Sequence, residues 1–127
     1  MNPMVLREEL PPDDAVVVVR GGVMNSSFVR ASAQDSYDDC GVFTISVSLA
    51  LDHTVEQLCA IDRRISRYGK VRLSTVGRLR TLGFALLPTL TRPHYDIVLP
   101  DLADETLDRL ELGFDAPILR PSPNGEP

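Results

Sequence analysis

The stretch Ala15-Val16-Val17-Val18-Val19-Arg20-Gly21-Gly22 decides how the chain is read. Four β-branched residues stand in a row with no polar residue between them. A strand with one wet face would alternate, so Val16–Val19 reads as a central strand buried on both sides. Gly21-Gly22 stops it, and Arg20 is left at its end. An arginine there can offer its planar fork to a phosphate or carboxylate. The glycines either let a ligand approach closely or supply a positive φ. The spacing is not GxGxxG and no tight helix start follows, so it gives no support for a Rossmann or P-loop phosphate cradle. The competing reading is a plain turn with a solvated or salt-bridged Arg20.

Downstream, Val29, Ala33, Tyr37 and Cys40 recur at helical spacing and predict a helix over Ser26–Asp39. Ser26 or Ser27 can cap it and Gly41 can end it. Val42–Leu51 is the clearest alternating strand. Phe43, Ile45, Val47, Leu49 and Leu51 share one face; Thr44, Ser46 and Ser48 put three hydroxyls on the other. Thr54–Tyr68 predicts one helix, with Leu58, Ile61, Ile65 and Tyr68 as its apolar stripe. A short strand follows at Lys70–Leu73, then a helix capped by Ser74 and running to Leu82. Phe84–Leu90 and Tyr95–Leu99 read as an antiparallel pair, with Pro88 marking an edge or bulge. Thr91-Arg92-Pro93-His94 is the turn between them. Asp101 or Asp104 caps a last helix over Glu105–Leu112.

The order β-α-β-α-β-α-β-β-α predicts a single α+β domain over residues 15–119, a mixed, mostly antiparallel sheet with helices packed on it. Met1–Asp14 is a polar lead-in, and the proline-bearing tail Arg120–Pro127 is expected to be disordered.

Of the 127 residues, 43% are hydrophobic but only 6% aromatic, so aliphatic side chains must fill the core. The chain has two cysteines, no CxxC and two histidines, a poor basis for a zinc site. Neither a secretory leader nor an apolar run of membrane-spanning length is present, so a cytoplasmic protein without membrane contact is expected. The net charge of −5 argues against a general nucleic-acid binder. Its distribution is uneven: residues 62–92 carry eight bases against one acid. Arg63, Arg64, Arg67, Arg78 and Arg80 could meet a nucleotide, RNA or a protein partner, or the chain's own acids.

His94 is the best candidate for general acid–base chemistry, because its ordinary pKa lies near neutrality. A surface histidine without function is the alternative. His53 reads as a helix flank. Cys59 reads as a small buried hydrophobe, and Cys40, beside Asp38 and Asp39, sits in a field unfavourable to a thiolate.

The succession VVVVRGG (residues 16–22), GVFTISVSLA (residues 41–50) and YDIVLP (residues 95–100) resembles the ADP-ribosyltransferase fold. The resemblance implies an NAD-binding cleft, with NAD held near Arg20, Gly21, Gly22 and Ser46. Arg20 matches the family's first site position and Ser46 its second. The third is a glutamate near the last core strand, and none stands in Pro93–Pro100. The polar residues there are His94 and Asp96, and Asp96 is one methylene shorter than the family's acid. The segment Val71–Asp101 is also similar to small proteins of high-GC actinobacteria associated with two-gene units of the toxin–antitoxin kind. Together these imply a small intracellular effector acting on a nucleotide or nucleic acid, with Arg20, Ser46 and His94 as candidate catalytic residues. The alternative is a non-catalytic antitoxin or accessory subunit.

Overall fold

The computed structural model describes residues 6–21 and 24–122. The valine stretch forms β1 (Val16–Arg20), and Ser26–Cys40 forms α1. They are followed by β2 (Phe43–Ala50), α2 (Val55–Ile61), α3 (Arg63–Ser66), β3 (Lys70–Thr75) and α4 (Val76–Thr81). The chain ends with β4 (Ala85–Leu87), β5 (His94–Leu99), α5 (Asp104–Leu112) and β6 (Ile118–Leu119). One six-stranded sheet has the order β4-β5-β2-β1-β3-β6. Its five strand pairings are antiparallel. The α+β class and the order of elements follow the expectation, with β6 added at the end.

The larger core lies on one face of the sheet. Val17, Val19, Ile45, Val47, Leu49, Tyr95, Ile97 and Leu99 point into it from the strands. Helices α1, α4 and α5 close it with Val29, Ala33, Val76, Leu79, Leu107 and Leu110. On the other face, Val18 and Val71 meet Leu58, Cys59 and Ile65 of α2 and α3. That second core covers β1 and β3. Over β2 and β5 the same face carries Thr44, Ser46, Ser48, His94 and Asp96, set side by side by the register Ser46↔Asp96 and Ser48↔His94.

The helix expected over Thr54–Tyr68 is two helices broken at Asp62, whose backbone is extended at φ −79°, ψ 111°. Its carboxylate explains the break. One oxygen accepts from the Arg64 N–H at 2.9 Å, capping α3, and the other accepts from the Ser48 hydroxyl at 2.7 Å. The side chain thus satisfies an orphan helix donor and ties the helix pair to β2. Ile61, expected inward, is exposed, and the Tyr68 ring is partly exposed.

The caps also differ from expectation. Asn25, not Ser26 or Ser27, accepts from the Phe28 N–H at 2.9 Å. Thr75, not Ser74, accepts from Arg78, while Ser74 is buried in β3. Neither Asp101 nor Asp104 is the N-cap of α5; Ala103 is, and Asp101 accepts from the Ala103 N–H and the Thr106 hydroxyl. Gly41 ends α1 with φ +80°, as its sequence position predicts. Arg120, placed in the expected tail, donates through its backbone N–H to the Gly69 carbonyl at 2.9 Å. The lead-in also makes contacts: Leu6 bridges to Thr89, and Arg7 N–H donates to the Pro88 carbonyl. Among the described residues no helix is long and apolar enough to cross a membrane.

Candidate functional site

The sheet is forked at its centre. The β1–β2 ladder runs from Val16↔Ala50 to Val18↔Ser48 and stops. Beyond that point β1 continues on β3 as far as Arg20↔Val71, and β2 continues on β5 as far as Phe43↔Leu99. Arg20 therefore ends one prong while Ser46 stands exposed on the other. Gly21 follows with φ +78°, a conformation that favours glycine, and its Cα faces the Tyr68 ring. The Arg20 guanidinium lies 5.7 Å from the centroid of that ring. Gly22 falls outside the described residues.

Arg20, Ser46 and His94 line one depression together with Ser48 and Arg64. It is narrow, about 10 Å³, room for about one water. An adjoining open cleft of about 400 Å³ shares Ser46 and His94 with it and runs between α1 and β5. Asp35 and Asp39 of α1, with Thr89 and Asp96, line that larger lobe. A third hollow joins Arg20 and Ser46 to Phe28 and Ser32 of α1. Ser46 is common to all three. The large lobe lies within the size range of small-molecule sites, about 300–1,000 Å³.

The three hydroxyls of β2 take different roles. Ser48 is buried and donates to Asp62. Thr44 is buried and shares a 2.6 Å hydrogen bond with the Ser36 hydroxyl of α1. Ser46 is exposed and donates to Asp96 Oδ1 at 3.3 Å. Two of the hydroxyls fasten helices, and the third faces the cleft.

His94 closes the expected turn, its N–H donating to the Thr91 carbonyl at 2.9 Å, but it is not on the surface. It is the first residue of β5 and only 4% exposed. Its Nδ1 lies 2.8 Å from Thr89 Oγ1 and 3.3 Å from the Thr89 carbonyl. Thr89 Oγ1 spends its single proton on Asp96 Oδ2, 2.7 Å away. Both Thr89 oxygens facing the ring are therefore acceptors, so Nδ1 carries the hydrogen. The remaining lone pair of the neutral ring is on Nε2. Burial holds the His94 pKa below its ordinary value, and Arg64 and Arg7 push the same way. Asp96 and the Thr89 carbonyl oppose them. The loop carrying Thr89 is pinned from outside, since Arg7 Nη1 donates to the carbonyls of Thr89 and Leu90 at 2.6 and 3.2 Å. Leu90 has φ +56°, a sparsely populated conformation for a residue with a side chain.

The basic segment divides in two. Arg72, Arg78, Arg80 and Arg92 form ion pairs with Glu111, Asp115, Asp13, and Asp52 with Glu9, respectively. Of the two readings open for the basic segment, Arg78 and Arg80 thus follow the second and face the chain's own acids. Among the described residues Arg20, Arg63, Arg64, Arg67 and Lys70 form no ion pair. Of these, Arg20 and Arg64 line the depression at the fork.

The cysteines stand apart from this chemistry. Cys59 is fully buried, which pushes its thiol up to about 11. Cys40 lines the large lobe but donates to the Ser36 carbonyl at 3.2 Å. His53 is exposed beside the start of α2. No group of three or more metal-ligating side chains occurs among the described residues.

The fold brings Arg20, Ser46 and His94, the candidates the sequence offers, to one place. Thr89 is added by the structure, and Asp96, in the sequence a shortened glutamate, is hydrogen-bonded beside them. A signal for Asp96 was present, because residues two apart on a strand share a face and His94 is such a neighbour. Thr89 had none, since its contact depends on how the 88–93 loop closes. Compared with protein-family models, curated proteins and solved structures, the chain finds no match.

Proposed function

We propose that this chain is an enzyme acting on a nucleotide bound at the β1–β2 fork. The observation that carries the reading is the shared depression of Arg20, Ser46 and His94. Arg20 and Arg64 are the phosphate anchors, since neither is engaged by a carboxylate of the described chain and a guanidinium fork matches phosphate geometry. The lobe of about 400 Å³ is large enough for a nucleoside-sized group, and its carboxylates suit sugar hydroxyls. NAD is the first ligand to test, on the strength of the resemblance to the ADP-ribosyltransferase fold. Asp96, hydrogen-bonded to Ser46 from the neighbouring strand, is the acid nearest the place where that resemblance requires a glutamate. Growth inhibition in the bacterial cytoplasm is the expected outcome of such an activity. Arg63, Arg64 and Arg67 would be the surface through which RNA or a partner protein approaches.

The test is calorimetric titration of the purified chain with NAD and ATP, beside Arg20→Ala and Arg78→Ala. Wild type and Arg78→Ala should bind alike, and Arg20→Ala at least ~10-fold more weakly, in line with loss of a charge-assisted contact. Equal binding by Arg20→Ala, or none by wild type at millimolar ligand, overturns the reading. Bacterial expression gives the second arm. Toxicity abolished by Arg20→Ala supports an enzyme; harmless expression with co-purification of a neighbouring-gene product supports a partner protein instead.

A further inference from the structure

We infer that His94 is the proton acceptor of the cleft, presented as its Nδ1–H tautomer by Thr89, with Asp96 holding Thr89 in place. The inference rests on the enzyme reading above and assigns to it two positioning residues, Thr89 and Asp96. Its basis is a chain of three side chains, each at most 8% exposed, that ends on a cleft.

The order of donation fixes the roles. Asp96 accepts, so Thr89 must donate to it, and the Thr89 oxygen can then only accept from His94. Nε2 is left as the basic nitrogen of a ring that lines both the narrow depression and the large lobe. The ring cannot take the Nε2–H tautomer without placing the Nδ1 lone pair against the Thr89 carbonyl, 3.3 Å away. Around it stand Asp96 on its own strand, Arg64 of α3 and Arg7 of the lead-in. Ser48, opposite His94, donates its hydroxyl hydrogen bond to Asp62. Asp35 and Asp39 of α1 line the far side of the lobe.

The step is a proton transfer. The O–H bond of a water or hydroxyl lying against Nε2 breaks, an Nε2–H bond forms, and the electron pair stays on oxygen. That oxygen makes the new bond to the electrophilic centre of the bound nucleotide. The leaving group departs with the old bonding pair and takes the proton back from Nε2. Asp96, through the Thr89 hydroxyl, stabilises the imidazolium formed between the two transfers. A buried histidine kept neutral at pH 7 suits this use, because its lone pair is available before substrate arrives.

The experiment is ¹⁵N–¹H correlation NMR of the His94 ring in the ligand-free full chain, joined to turnover with the nucleotide that binds. In wild type at neutral pH the ring should be neutral and Nδ1-protonated. Thr89→Val should convert it to a tautomer mixture and lower turnover ~10-fold or more. Thr89→Ser, which keeps the hydroxyl, should restore both and guards against a mere folding defect. His94→Asn, which can still donate to Thr89 but lacks Nε2, should lower turnover by at least ~100-fold, the usual scale of a lost general base. Nucleotide binding should change by less than ~2-fold. An imidazolium or an Nε2–H tautomer in wild type, or undiminished turnover in His94→Asn, overturns the inference. Failure of the Arg20 titration removes the nucleotide reading and, with it, His94 as proton acceptor toward a nucleotide; the NMR tests the tautomer and its dependence on Thr89 separately.

Discussion

Strands β2 and β5 show two unlike faces of one pair of strands. On one, Ile45, Val47, Leu49, Tyr95, Ile97 and Leu99 are packed into an aliphatic core. On the other, Thr44, Ser48, His94 and Asp96 are nearly as buried, yet each is held by hydrogen bonds to another side chain. The first face gains stability from every apolar group removed from water. The second at best recovers what desolvation costs, because buried polar groups must be paired to break even. The difference teaches where to look for function. A protein that needed only to fold could have closed this face with valine, as it did over β1 and β3.

The comparison can be broken first on the apolar side. Ile97→Ala removes a fully buried side chain and should destabilise by about 2–5 kcal/mol, read from the urea midpoint. A loss below about 1 kcal/mol would mean this face is not the packed one. Next comes Asp62→Ala, which removes a helix cap and the hydrogen-bond partner of the buried Ser48 at once. The expected loss is about 1–3 kcal/mol, together with weaker nucleotide binding as Arg64 leaves the fork. Unchanged stability would show that the helix break is not held by this carboxylate.

The smallest effect is on pH. The folded state holds the His94 pKa below its ordinary value of 6.5, so the unfolded chain takes up the proton first. The contribution of the neutral ring is complete above that ordinary value and is lost as pH falls toward the folded one. Denaturation midpoints between about pH 7.5 and about pH 5.5 should therefore drop more steeply in wild type than in His94→Asn. Parallel curves would mean His94 titrates as if unburied.

Much of the fold was legible because period and breakers agreed. The valines of β1, the alternation of β2 and the glycine after α1 each point to one local answer. The helix break at Asp62 was not legible, since 54–68 keeps a helical stripe and the break depends on Ser48, distant in sequence. The site was half legible. Ser46 sits at a strand position whose direction follows from alternation, whereas the unbroken valines of β1 fix Arg20 only as a strand end, and their meeting required the two strands to be neighbours. The burial of His94 was not legible, because a Pro-His sequence after a strand resembles a surface turn. Its partner Thr89 is reached through a loop held by Arg7, a contact spanning nearly the whole domain. The sorting of the arginines into paired and unpaired sets depends likewise on which acids the chain folds against them.

The fork has a mechanical meaning as well. With only three rungs joining β1 to β2, against five joining β1 to β3 and six joining β2 to β5, the sheet is two ribbons sharing a short seam. Anything lodged between the prongs acts as a wedge in that seam, bearing on both ribbons at once.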